Sequence, residues 1–128
     1  MILHTTHCSL PRSCAVYSNN LQLFHFGTDG NKEPFSIVPL DLLQSAIACI
    51  LDVRNHPILI HCSKGTHRTG CLIGCMRKVQ YWSLTSILAE YQRFAGGKPR
   101  VLDQQSIELF NPNQVPCDPK YLPAWLRM

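Results

Sequence analysis

Residues 58–70 read ILIHCSKGTHRTG, and the fold turns on how this stretch is parsed. Ile58-Leu59-Ile60 is apolar and β-branched, too short for a helix, and reads as a buried strand. It runs into His61-Cys62, and five positions separate Cys62 from Arg68-Thr69-Gly70. A helix is expected to begin near Thr69 and run to about Gln80, burying Cys71 or Leu72 with Cys75, Met76 and Val79. A thiol therefore falls where a strand ends and the chain curls into a helix. The N–H groups of Ser63, Lys64, Gly65, Thr66, His67 and Arg68 can converge on one point there, and the helix N-terminus adds positive potential. The same field favours thiolate over thiol. Arg68 carries the planar fork that grips two oxygens of one phosphoryl group, a geometry lysine lacks. Gly65 and Gly70 allow a tight curl and a close helix approach, and Thr69 can donate its hydroxyl to the Cys62 sulfur. His61 is expected as a hydrogen-bonding neighbour of the thiolate, not its base, because a papain-like pair needs a third group to orient the histidine. These residue types at this spacing suit displacement at phosphorus, in an ester or an anhydride.

Outward from this loop, the pattern is that of an α/β chain. Leu21-Gln22-Leu23-Phe24-His25-Phe26 alternates as a half-buried strand does, and Thr28 to Pro34 reads as an exposed loop. Between Pro39 and about Val53, Leu42, Leu43, Ala46, Ile47, Ile50 and Leu51 recur at helical spacing, stopped by Asn55-His56-Pro57. Ser83 should cap a further helix whose stripe is Leu84, Ile87, Leu88, Tyr91 and Phe94, with Gly96-Gly97 at its end. Asp103 is expected to cap a short last helix carrying Ile107 and Phe110. The organisation expected is an irregular or partial lead-in over 1–20, a core over 21–110 and an irregular tail over 111–128. The fold class is α/β, a small central sheet flanked by helices. Only two strands are convincing, and a two-stranded sheet is marginal. The N-terminal strands are therefore expected to be missing, unless residues near Ala15-Val16-Tyr17 supply one.

Composition narrows the function classes. At 128 residues, 45% hydrophobic and 16% charged, the chain is one globular domain. No apolar run reaches the roughly 18 residues that cross a bilayer, and the opening residues lack the features of a secretory signal. A cytoplasmic chain, also admissible in the nucleus, is expected. Seven cysteines are an odd number, and Cys49, Cys71 and Cys75 sit in helical apolar patterns, so mostly reduced thiols are expected. The net charge of +4 suits an anionic small molecule or phosphopeptide. Dispersed basic residues without interleaved aromatics argue against nucleic acid. His61, Cys62, His67, Cys71 and Cys75 lack the paired knuckles of structural zinc, so neither metal nor cofactor is expected.

The run His-Cys, five variable residues, Arg and Thr resembles the signature loop of the cysteine phosphatase superfamily. FHFGTDGNKEPF at 24–35, LDVRNHPILIHCSKGTHRTG at 51–70 and RKVQYWSLTSILAEYQRFAGGKPRVLDQQSIELF at 77–110 resemble the plant and fungal atypical dual-specificity phosphatases. That branch is similar to the yeast inositol-pyrophosphate phosphatase. The resemblance implies a cysteine-phosphatase-like fold in which Cys62 attacks phosphorus, Arg68 holds the transferring group and water hydrolyses a phosphocysteine without metal. Asp29, in the loop after the first strand, is the first choice of acid for the leaving group, ahead of Glu33 and Asp41. Thr66 stands where the family reads lysine, which leaves Lys64, His67 and Lys32 to attract a densely phosphorylated ring. Inositol pyrophosphate is the implied substrate. A protein tyrosine or dual-specificity phosphatase, and an inactive phosphate-binding or interaction protein, are the alternatives; oligomeric state is not legible.

Overall fold

The computed structural model describes residues 2–4, 23–26, 37–62 and 64–126. Three short strands, β1 (Ile2–His4), β2 (Leu23–His25) and β3 (Leu59–His61), form a parallel sheet in the order β2-β1-β3. The described residues also form four helices: α1 (Leu40–Leu51), between β2 and β3, and then α2 (His67–Val79), α3 (Leu84–Ala95) and α4 (Val101–Leu109). The described tail holds 3-10 turns at Pro112–Gln114, Pro119–Tyr121 and Ala124–Leu126. Asn111 and Asp118 open the first two by accepting from the amides of Asn113 and Lys120. No helix among the described residues is long and apolar enough to cross a membrane.

Helix α2 lies at the middle of the helical layer, packed against α1, α3 and α4. Ile47, Cys71, Cys75, Ile87 and Ile107, drawn from all four helices, are each fully buried, and Ile60 of β3 packs against the same cluster. An Arg77–Glu90 ion pair at 2.9 and 3.0 Å ties α2 to α3, and the Arg77 guanidinium lies 4.2 Å from the Trp82 ring centroid. Helices α2 and α4 approach closely at Gly74, where a Cβ would come within 2.5 Å of Ile107 Cδ1 and 2.8 Å of its Cγ1. Ile107 is fully buried and has nowhere to retreat. Gly74→Ala should therefore cost about 1–3 kcal/mol of overpacking, read as a lowered thermal midpoint. An unchanged midpoint would mean that α4 does not press on α2 as described.

Several expectations are corrected. The third strand comes from Ile2–His4, inside the segment read as an irregular lead-in, and it is the central strand. Two apolar residues are too short a run to show a period; pairing on both edges makes the strand. The alternative at Ala15-Val16-Tyr17 lies outside the described residues. The strand expected over 21–26 is described over Leu23–His25, where Phe24 is half-buried and Leu23 is 38% exposed; Phe26, just after it, packs against the core. Helix α2 begins at His67, two residues earlier than expected, because the curl is already complete at Thr66. The α3 stripe is narrower than its pattern: Ile87 and Tyr91 are buried, whereas Leu84 is 37% and Phe94 63% exposed. Ser83 does cap α3, its hydroxyl accepting from the Ser86 amide. Asp103 does not cap α4. Arg100 holds that position, and Asp103 sits in the first turn with a buried side chain, because a partner on α3 takes its carboxylate inward.

Candidate active site

The parallel sheet aims the carboxyl end of β3 at the start of α2, and the chain between them must reverse within residues 62–66. Gly65 makes this sterically feasible: its φ of +70° lies where a side chain is strained. The curl brings its amide to 3.2 Å from Cys62 Sγ. From the first turn of α2, the Thr69 hydroxyl donates to the same sulfur at 3.0 Å. Cys62 is 8% exposed, which by itself would disfavour a charged sulfur. Desolvation is the largest single influence and pushes the thiol up. Hydrogen bonds from the Thr69 hydroxyl and from the amides of Thr69, Gly65 and Lys64 together outweigh it and hold Cys62 below its ordinary value.

Charge placement on α2 points to the same kind of ligand. Its first turn carries no acidic residue and includes Arg68, the reverse of what a helix N-terminus prefers. A cation beside a positive helix end becomes favourable when an anion lies between them. Arg68 is half-buried on that turn, next to Thr69, and Lys64 is exposed at the rim. Thr66 occupies the position before α2 without a side-chain cap, its hydroxyl 3.5 Å from His67 Nδ1. His67 Nε2 lies 2.8 Å from the Lys98 carbonyl. A carbonyl only accepts, so Nε2 carries the proton of that bond. His61 ends β3 half-buried, and Gly70 lies against the ring of Tyr91. A cleft of about 310 Å³ opens beside the loop, lined by Gly65, Thr69, Gly70, Ile73, Glu90 and Phe94 among others. Phe94 belongs to its wall rather than to the core.

The expected loop residues Cys62, Lys64, Gly65, Thr66, His67, Arg68, Thr69 and Gly70 thus fall on one curl and one helical turn. Asp29, Lys32, Glu33 and Ser63 lie outside the described residues. Asp41 is exposed in the first turn of α1. Sequence reasoning passed over the segment between α3 and α4, which the His67 contact draws against the start of α2 together with Lys98 and Arg100. Its signal was present: a double glycine followed by Lys-Pro-Arg marks a tight return of the chain.

Thr69→Val keeps the shape of the side chain and removes its donor. The pH at which Cys62 is half-maximally alkylated should then rise, and kcat/KM should fall about tenfold near neutral pH, the worth of one hydrogen bond to a charged group. Because the shift acts on thiolate population, the two proteins should converge above the ordinary thiol range. A parallel displacement at every pH would remove the hydroxyl from this role.

The family model described as tyrosine phosphatase family matches residues 1–127. Inositol diphosphatase DSP1 of Oryza sativa subsp. japonica is 52% identical over 107 residues, which are 84% of this chain and 46% of that protein. Inositol diphosphatase SIW14 of Saccharomyces cerevisiae is 54% identical over 95 residues, 74% of this chain and 34% of that protein. The chain thus spans about half the length, or less, of these curated relatives. The solved Siw14 catalytic core superposes with a TM-score of 0.82 at 43% identity, covering 89% of this chain and 69% of that one.

Proposed function

Because the chain belongs to the tyrosine phosphatase family, we propose that it is a cysteine-dependent phosphatase hydrolysing inositol pyrophosphates through a phosphocysteine intermediate. The observation that carries the chemistry is a sulfur receiving hydrogen bonds from Thr69 and Gly65 at the mouth of α2, with its pKa lowered. The substrate class is supported by identities above 50% to proteins named inositol diphosphatases. It is supported also by Lys64 and Arg68, which lie on the curl and the first turn of α2, where a many-phosphate ring needs cations.

In this reading the Cys62 thiolate attacks the terminal phosphorus of the diphosphate. The bond to the bridging oxygen breaks, its electron pair leaves with the inner phosphate, and a sulfur–phosphorus bond forms. Arg68 holds two non-bridging oxygens in its fork while charge builds on them. Water then attacks phosphorus, releases inorganic phosphate and returns the electron pair to sulfur, where the Thr69 hydroxyl stabilises the thiolate. Asp29 is the proposed acid. Its help matters less for an anhydride, whose leaving group is itself a phosphate, than for an ester that expels the more basic phenoxide of a tyrosine.

Phosphate release should be compared for a diphosphoinositol polyphosphate, a phosphotyrosine peptide and an aryl phosphate. The diphosphoinositol is expected to give the highest kcat/KM, and Asp29→Asn should slow the esters more than the anhydride. A peptide preferred over the diphosphoinositol would overturn the substrate class in favour of the second reading, a tyrosine-specific or dual-specificity protein phosphatase, which the description of the family model favours. Equal slowing of all three substrates would remove the argument about leaving groups.

A further inference from the structure

Asp103 is the buried carboxylate among the described residues, 2% exposed, and the proposed reaction does not use it. Its Oδ2 accepts a 2.6 Å hydrogen bond from the hydroxyl of Tyr91, itself 2% exposed. With the hydroxyl proton committed to the carboxylate, a lone pair of the same oxygen accepts from the Arg100 amide at 3.1 Å. Burial first, and then the bond to Asp103, push the tyrosine up from its ordinary value, so it remains a donor. The ring of Tyr91 meanwhile fills the space above Gly70, where a Cβ would come 3.0 Å from Cδ2 and 3.2 Å from Cε2. The chain from Arg100 leads back to Lys98, whose carbonyl holds His67 at 2.8 Å. These contacts close a circuit: Gly70, the Tyr91 ring, its hydroxyl, the Arg100 amide, the Lys98 carbonyl and His67. Arg68 and Thr69 lie between the two ends of that circuit. Cys71, the next residue, donates its thiol toward the Asp103 carbonyl at 3.7 Å.

We propose that Tyr91 and Asp103 are positioning residues of the anion site, holding the first turn of α2 so that Arg68 and Thr69 meet the Cys62 sulfur and the group bound there. The carboxylate fixes the direction of the hydroxyl, the hydroxyl fixes the 98–100 segment, and ring and segment grip the turn from two sides. The proposal rests on Cys62 as the nucleophile of the preceding reading, but not on any particular substrate.

A pair that only holds α3 to α4 would affect melting and nothing at Cys62. Two variants separate the possibilities. Tyr91→Phe leaves a buried carboxylate without its donor and should lower the melting temperature. Tyr91→Phe with Asp103→Leu removes both polar partners, so stability should return toward that of the parent. Cys62 alkylation by iodoacetamide is followed against pH by peptide mass, with Cys62→Ser as the blank for the other thiols, and kcat/KM is measured on an aryl phosphate. Both variants, assayed below their melting temperatures, should show an alkylation midpoint moved to higher pH and kcat/KM lowered about tenfold, the equivalent of one lost hydrogen bond. Asp103→Asn, which keeps an acceptor oxygen and the shape, should lie closest to the parent. The parent midpoint in either folded variant, or midpoints that simply follow melting temperature, would overturn the proposal. Variant midpoints displaced from that of a parent that hydrolyses none of the substrates would uphold it while overturning the phosphatase reading.

Discussion

Cys62→Ser should lose phosphate release by at least about a thousandfold, the largest effect expected of any single change in this protein. Serine fits the same space and can keep the contacts with Thr69 and Gly65, so its effect isolates ionisation. Amide donors and a helix end can bring a thiol from roughly 8.5 into the neutral range. The same environment leaves an alkanol essentially unionised. A phosphoserine would also lack the sulfur leaving group on which the second step depends. Capture of the anion, by contrast, uses the loop amides, Arg68 and the helix end, none of which the substitution touches. Competition by inorganic phosphate against a bound fluorescent polyphosphate should therefore remain within a few-fold of the parent. Turnover retained in Cys62→Ser would exclude the phosphocysteine route. A parent without turnover that still binds phosphate would instead favour the alternative of a non-catalytic phosphate-binding protein.

Arg68→Lys should lower kcat by about 10²–10³-fold, the usual consequence of removing one preorganised donor from developing charge. KM should change much less, since lysine keeps a positive charge at the helix end. The distinction lies in shape. The guanidinium presents parallel N–H groups that match two oxygens of a phosphoryl group, whereas an ammonium offers one mobile point of charge. Arg68 is half-buried in the first turn of α2, where its backbone is fixed by the Gly65 curl on one side and the Gly70–Tyr91 contact on the other. The planar fork is itself pre-organised, so less entropy is lost per hydrogen bond as it grips the transition state. A lysine variant with the parent's kcat would show that charge alone suffices and that the fork contributes nothing. Steady-state kinetics on an aryl phosphate, for which ring contacts play no part, make the cleanest comparison.

The parts of this protein that were legible in its sequence are those whose cause lies within about two helical turns along the chain. The loop is one such part: the strand end, the thiol, the glycine with its positive φ, the arginine and the threonine all fall within residues 61–69, so their chemistry follows from spacing. Helices α1, α2 and α3 are others, because an apolar face repeats with the helical period and Ser83 and Gly96 mark two ends. Legibility failed where a partner is distant. Ile2 and Leu3 carry no period, and only pairing with residues 23–25 and 59–61 makes them the central strand. Asp103 reads as a helix cap by local rules, yet a hydroxyl twelve positions earlier draws it inside.

What the chain determines by itself is therefore the reactive group and its immediate cradle, since covalent neighbours and short-range hydrogen bonds specify both. What only the tertiary structure decided is which remote segments close around that cradle. Tyr91, the 98–100 segment and Asp103 meet the start of α2 through loop closures and buried pairings, and residues so far apart leave no periodic trace in the sequence.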